Sequence, residues 1–325
     1  MSEVRNSLIS FVVPVYNEAL GLDKFHASLM EVIKSISGYD YEIIYCNDGS
    51  SDNTYQVVKE INSNDSRVKL ISLSRNFGKE SALAAGIKQA SGQAIITLDG
   101  DGQHPVELIP EFLTRWANGS QVVIGIRQSN EGQSSLKSAV SSLFYRLFNK
   151  ISGQKIAPGS TDYRLIDAEV QAAFLELKES DRITRGLIDW LGFDRDYIYF
   201  TAHAREAGTS SYSTGKLIKL AVDSFVSMSS RPLFVFTYIG LFITSLSFVL
   251  GTLVLLEQVI FNDPLNWKFT GTAMLGILIL FGVGLLLLSQ GILSIYISRI
   301  HNQSKSRPLY VINSSKSIGT DSNEL

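Results

Sequence analysis

Runs of apolar residues of strand length alternate with segments of helical spacing through the first half of the chain. Leu8–Val13 is a continuous apolar run. Between Leu20 and Ile36, residues Leu22, Phe25, Leu29, Val32, Ile33 and Ile36 recur on one helical face. The same alternation continues with a strand at Tyr41–Cys46, a helix from Ser51 or Asp52 to about Ile61, a strand at Val68–Leu73 and a helix at Lys79–Ala90. It ends with a strand at Ala94–Leu98, a helix at Pro105–Ala117 and a strand at Gln121–Ile126. Strands that are apolar throughout, separated by amphipathic helices, predict an α/β fold: a mostly parallel sheet with helices on both faces.

The pattern is less regular afterwards. A helix is expected over Gln133–Ile151, a short strand at Tyr163–Leu165, a helix at Asp181–Gly192 and a strand at Tyr197–Ala202. Thr214–Ser229 has the spacing of an amphipathic helix, which at a membrane surface would lie in the interface.

Two later segments change the picture. Residues 232–256 and 269–298 contain no Asp, Glu, Lys or Arg. Each exceeds the roughly 20 residues that cross a bilayer core. The expected organisation is a cytosolic domain at 1–212, an interfacial helix at 213–231, and transmembrane helices at 232–256 and 269–298. An external connector occupies 257–268, and a polar cytosolic tail, expected to be disordered after Pro308, occupies 299–325. Lys216, Lys219, Arg231, Arg299, Lys305 and Arg307 flank one side and Lys268 the other, which places the domain in the cytosol of a two-pass inner or plasma membrane protein. The run Leu8–Val15 is too short for a secretory leader and follows Glu3 rather than a basic stretch.

A formal net charge of −2 gives no basic field for nucleic acid. The single cysteine, Cys46, excludes an intrachain disulfide or a cysteine metal cluster and reads as a core residue.

Polar clusters stand at the carboxyl ends of the predicted strands, where open α/β sheets bind ligands. They are Tyr16-Asn17-Glu18, Asn47-Asp48 and Asp99-Gly100-Asp101. Two carboxylates one residue apart at a strand end, with Gln103 as a further oxygen donor, suit a hard cation such as Mg²⁺ or Mn²⁺, which commonly bridges to phosphate. Gly100 would let backbone approach a ligand.

Four motifs stand in order: Pro14-Val15-Tyr16-Asn17-Glu18, Asn47-Asp48-Gly49-Ser50-Ser51-Asp52, Arg75-Asn76-Phe77-Gly78-Lys79-Glu80 and Asp99-Gly100-Asp101-Gly102-Gln103. With Leu143-Phe144-Tyr145-Arg146, Thr161-Asp162-Tyr163-Arg164-Leu165 and Arg205-Glu206-Ala207-Gly208, the chain resembles the inverting glycosyltransferases of GT-A fold over about residues 8–300. It resembles above all the polyisoprenyl-phosphate group of GtrB and dolichol-phosphate mannose synthase.

The resemblance implies a Rossmann-like nucleotide-sugar domain, a nucleotide sugar such as UDP-glucose as donor, and polyprenyl phosphate as acceptor. It implies that Pro14, Tyr16, Glu18, Asp48, Asp99 and Gly100 line the nucleotide site, and that Asp101 and Gln103 hold a divalent metal. Asp99, Asp101 and Asp162 are the expected catalytic group, Asp162 as a positioning residue or base. Arg127, Lys137, Arg146 and Arg205 are the cations expected to meet the lipid phosphate. Two departures stand out: His104, where the family usually has an acidic residue, and Ser211, where it often has a lysine. His104 is expected at the surface of a helix start, with a metal-ligand role as the alternative. Asp162 pairing with Arg164 or another neighbour, and Arg127 and Arg205 as plain surface charges, are the competing structural readings.

A processive polysaccharide synthase would carry a Gln-x-x-Arg-Trp motif and more spans, and neither is present. A non-catalytic scaffold would not need the carboxylates. A homo-oligomer is left open.

Overall fold

The computed structural model describes residues 7–128, 159–179, 182–201, 242, 271–305 and 307–320. The helices expected at 133–151 and 214–229 and the span at 232–256 lie outside this set, apart from Phe242, as does Ser211. The chain forms two compact units. One comprises residues 1–149, 153–211 and 307–325, the other 150–152 and 212–306.

The first unit is built on a seven-stranded sheet. In chain order the strands are β1 (Ser7–Val15), β2 (Tyr39–Asn47), β3 (Val68–Ser72), β4 (Ala94–Thr97), β5 (Val122–Arg127), β6 (Ser160–Asp167) and β7 (Arg195–Phe200). The spatial order is β3-β2-β1-β4-β6-β5-β7. The helices are α1 (Leu22–Ser35), α2 (Thr54–Asn64), α3 (Lys79–Gln89), α4 (Ile109–Ala117), α5 (Ala168–Glu176) and α6 (Thr184–Leu191). β1, β2, β3 and β4 run parallel, as expected of apolar strands joined by helices.

β6 differs from the expectation. It is eight residues long and antiparallel to both β4 and β5. The expected short strand is therefore a central one, and α5 directly after it has no counterpart in the sequence reading. The sheet has a core on each face. Phe11, Leu22, Leu29, Tyr45 and Phe112 pack on one. Val12, Ile44, Cys46, Leu83 and Phe174 pack on the other. Cys46 is fully buried, and burial pushes its thiol pKa up.

The tail is not the free segment that its Ser and Asn content suggests. Residues 309–318 run along the edge strand β3. Leu70 N–H donates to Ile318 O (2.9 Å), Ser74 N–H to Val311 O (2.8 Å) and Asn313 N–H to Ser72 O (2.7 Å). Leu309, Tyr310, Ile312 and Ile318 lean on the two cores. The physical reason is twofold: these apolar residues are spaced through the polar tail, and β3 otherwise presents an unpaired edge that needs covering.

In the second unit, α7 (Gly271–Ser304) is a helix of 34 residues, overlapping the expected 269–298 span. Among the described residues no helix is long and apolar enough to cross a membrane.

Candidate active site

The chain crosses from β3 back over β1 to β4, so strand order reverses between β1 and β4. Parallel sheets bind ligands at the carboxyl ends beside such a reversal. The Tyr16, Asp48 and Asp99 loops all leave the sheet there. Because β6 runs antiparallel and pairs Arg164 with Thr97, its beginning lies at the same edge and carries Asp162 beside Asp99.

The first two loops are pinned together. Asn17 takes a left-handed conformation (φ 56°), which a short amide side chain tolerates. Its Oδ1 accepts the Ser51 N–H (2.9 Å), and its own N–H donates to Ser50 Oγ (3.0 Å). Glu18 N–H donates to Thr54 Oγ1 and Ala19 N–H to Asp52 Oδ2. Tyr16 is left 46% exposed at the mouth, a ring available for stacking. Pro14 lies within β1 opposite Cys46, behind that mouth.

Asp48 is buried, and its carboxylate accepts the Phe77 and Gly78 N–H groups (2.7 and 2.9 Å). Burial raises its pKa and those two bonds partly offset the rise. The loop carrying Arg75-Asn76-Phe77-Gly78 thus hangs on Asp48. Gly49 sits under the same loop with φ +67°, and a Cβ there would lie 2.4 Å from the Arg75 carbonyl carbon. Only glycine fits both constraints.

At the β4 end, Asp101 Oδ1 accepts the Gln103 N–H (3.1 Å), and Gln103 Oε1 accepts from Arg127 (3.3 Å). Arg127 is exposed and reaches the carboxylate loop from the end of β5, so it is part of this edge rather than an unrelated surface charge. Gly100 faces Val15 and Val13 of β1, where a Cβ would be 3.0 and 3.4 Å from their methyls; its smallness serves packing. Among the described residues no three His, Cys, Asp or Glu side chains form a metal-binding group.

His104 departs from both expectations. It is buried and stacks on Tyr163 (ring centroids 5.1 Å apart), with Phe200 at its edge. Its Nδ1 accepts the Asp99 N–H (3.0 Å), so in this geometry the other ring nitrogen holds the proton. Burial lowers its pKa, with the nearby Asp99 opposing. It is a neutral prop behind the carboxylate loop, fixed in its tautomer by the bond it accepts.

Asp162 does not pair with Arg164. Arg164 is fully buried and bonds Asp189 (2.8 Å), Ser160 Oγ and the carbonyls of Thr161 and Arg185. Asp162 pairs instead with Lys79, the first residue of α3, whose Nζ is 2.7 Å from Asp162 Oδ2 and 2.7 Å from Asp99 Oδ1. Burial opposes the Asp162 charge, but the Lys79 ammonium, together with Arg185 and Arg164, outweighs it and holds the carboxyl below its ordinary pKa. Lys137, Arg146 and Arg205 lie outside the described residues. Sequence reasoning missed Lys79; the signal was a cation directly after Gly78 in the third motif.

Residues 10–171 match the family described as glycosyl transferase family 2. The chain is 37% identical over 308 residues to a protein of Shigella phage SfV named bactoprenol glucosyl transferase, covering 95% of this chain and 99% of that one. It is 38% identical over 311 residues to the putative glycosyltransferase CsbB of Bacillus subtilis, covering 95% and 92%. The crystal structure of mannosyl-3-phosphoglycerate synthase from Rubrobacter xylanophilus shares the fold, with TM-score 0.50 and 16% identity over 68% of this chain and 73% of that one. A GT-A-like α/β sheet with its polar loops at one edge, and full-length similarity to these relatives, make this chain a glycosyltransferase that belongs to glycosyl transferase family 2, within its polyprenyl-phosphate glycosyltransferase group.

Proposed function

We propose that the chain transfers glucose from UDP-glucose to the phosphate of a membrane polyprenol, with inversion at the anomeric carbon. The observation that carries this reading is the 37% identity to a bactoprenol glucosyl transferase over 99% of that protein's length. That similarity extends past residue 171 and so covers more of the chain than the family domain.

The donor would lie across the Tyr16, Asp48 and Asp99 loops. Tyr16 offers a face for the base, while Asp48, Glu18 and the loop below Gly78 bound the nucleoside. Asp101 and Gln103 would hold Mg²⁺ or Mn²⁺. Their donors are oxygens, as hard cations require, and Gln103 can turn its Oε1 from Arg127 to the ion. When bound, the metal supplies charge neutralisation on the departing diphosphate. The acceptor phosphate, with a second pKa near 6, is largely dianionic at neutral pH and serves as its own nucleophile. It attacks the anomeric carbon as the diphosphate leaves. Asp162, held ionised by Lys79, therefore acts on position rather than as a strong base. Transfer should stop on thorough chelation and return with Mn²⁺ or Mg²⁺; transfer that persists without metal would remove the ion from this account.

The membrane part rests on α7. It is 34 residues long, about 51 Å at 1.5 Å per residue, and has no Asp, Glu, Lys or Arg before Arg299. Leu275, Leu278, Ile279, Leu286, Ile297 and Ile300 are 51–67% exposed, an apolar surface suited to lipid. With 232–256 as its partner span, the catalytic unit would face the cytosol.

Arg127 is the described cation placed to meet the lipid phosphate. Arg127→Ala is expected to lower kcat/KM for polyprenyl phosphate by about ten- to hundredfold, as for loss of a roughly 1.5–3 kcal/mol charged hydrogen bond. UDP affinity by calorimetry with Mn²⁺ should change little. Loss of UDP binding with intact acceptor kinetics would assign Arg127 to the donor diphosphate.

A further inference from the structure

Three carboxylates meet at this edge, yet a phosphate dianion has to enter it. Asp99 comes from the end of β4, Asp101 from two residues on, and Asp162 from the start of β6. Like charges so close repel one another and repel the acceptor. The cation in direct contact with two of them is Lys79. Gly78, with φ +100°, turns the chain into α3 so that the helix begins on this lysine. Its ammonium reaches both oxygens of Asp99, at 2.7 and 2.9 Å, and Asp162 Oδ2 at 2.7 Å. The Lys79 side chain is 43% exposed, so this is no core brace. Burial works against its charge, and the two carboxylates more than compensate, raising its pKa.

The other oxygen of Asp162 sharpens the point. Oδ1 is buried and has no hydrogen-bond partner among the described residues. Buried polar atoms are ordinarily satisfied. The orientation of this carboxylate therefore depends on the bond from Lys79 to Oδ2. Thr97 Oγ1 fixes only the Asp162 main-chain carbonyl.

We propose that Lys79 is a positioning residue of the transfer reaction. One ammonium holds the carboxylates of Asp99 and Asp162, which arrive from different strands, in one orientation around the reacting sugar, and compensates their charge as the anionic acceptor approaches. This rests on the reading of the site as a sugar-transfer site. It assigns Lys79 to turnover rather than to donor affinity, because its ammonium contacts Asp99 and Asp162, whereas Asn17 and Asp52 pin the first two nucleoside loops to each other.

The test is a double-mutant cycle on the full chain in detergent with Lys79→Met, Asp162→Asn and both together. It is read on glucosyl transfer to undecaprenyl phosphate and, separately, on slow hydrolysis of UDP-glucose without lipid. A cycle isolates the pairwise coupling of two residues. Lys79→Met is expected to lower kcat at least tenfold at nearly unchanged UDP affinity, and Lys79→Arg to retain more activity than Lys79→Met. In the Asp162→Asn background the further loss from Lys79→Met should fall below about threefold, since little of the pair is left to lose. Losses that simply multiply would overturn the proposal, as would a Lys79→Met variant that keeps kcat and loses UDP. A wild-type chain that hydrolyses UDP-glucose but leaves the lipid untouched would sink the acceptor reading instead, and the hydrolysis cycle would still decide on Lys79.

Discussion

Asp101→Asn is expected to lower glucosyl transfer by about a hundredfold or more while leaving the protein folded. The fold survives because asparagine retains the Oδ1 that accepts the Gln103 N–H, so the turn after β4 keeps its bond. What is lost is a negative charge on an oxygen that would bind the ion, and hard divalent cations bind a neutral amide less well than a carboxylate. A metal on the leaving group contributes several kcal/mol of transition-state stabilisation, and each 1.36 kcal/mol is tenfold in rate. The variant should recover part of its activity at high Mn²⁺ and show an unchanged melting temperature. Near wild-type turnover at ordinary metal concentration would take Asp101 out of the metal site.

The largest effect on stability belongs to Arg164→Ala. Arg164 and Asp189 are 1% and 5% exposed at their side chains and 2.8 Å apart. The same guanidinium satisfies the carbonyls of Thr161 and Arg185 and the Ser160 hydroxyl. Removing it leaves a buried carboxylate whose next cation, Arg195, is 4.0 Å away, which costs about 3 kcal/mol, the low end for a broken buried pair. In a domain of this size that is a melting-point loss on the order of 10 °C. Asp189→Leu added to Arg164→Met should regain much of it, because an apolar pair does not leave a lone charge. The outcome matters for catalysis too. Arg164 ties α6 to β6 two residues from Asp162, and the first turn of α6 donates Thr184 N–H to Glu80, beside Lys79 (2.8 Å). An Arg164→Ala protein that melts like wild type would show that the site does not depend on this buried pair.

Much of the parallel half was legible because its signals are local. Continuous apolar strands such as Leu8–Val13 and helical faces such as Leu22-Phe25-Leu29-Ile33 state their own period, and the loops after β1, β2 and β4 follow from the strand ends. β6 was not, because no local pattern says that a strand starting at Ser160 inserts antiparallel between β4 and β5. That insertion is what brings Asp162 to Asp99, and it decides the partner of Asp162. Arg164, two residues on from Asp162, seemed the nearer candidate. Residues two apart do share a face, yet the buried guanidinium turns to Asp189 on α6 while Lys79 takes the exposed edge. His104 escapes the sequence for a similar reason: a polar residue before a helix start reads as surface, while Tyr163 and Phe200, both from distant strands, pack on its ring. The tail was misjudged by composition. Its polar majority conceals Leu309, Tyr310, Ile312 and Ile318, whose value lies in the β3 edge that they cover.

The most direct measurement on the central claim is mass spectrometry of the lipid product after incubating the purified full chain with undecaprenyl phosphate, Mn²⁺ and a panel of nucleotide sugars. The account predicts one new lipid species, a single hexose on the undecaprenyl phosphate, formed from UDP-glucose and strongly reduced with the Asp101→Asn variant. A chain that consumes UDP-glucose without altering the lipid, or that builds a polymer on it, would contradict the account.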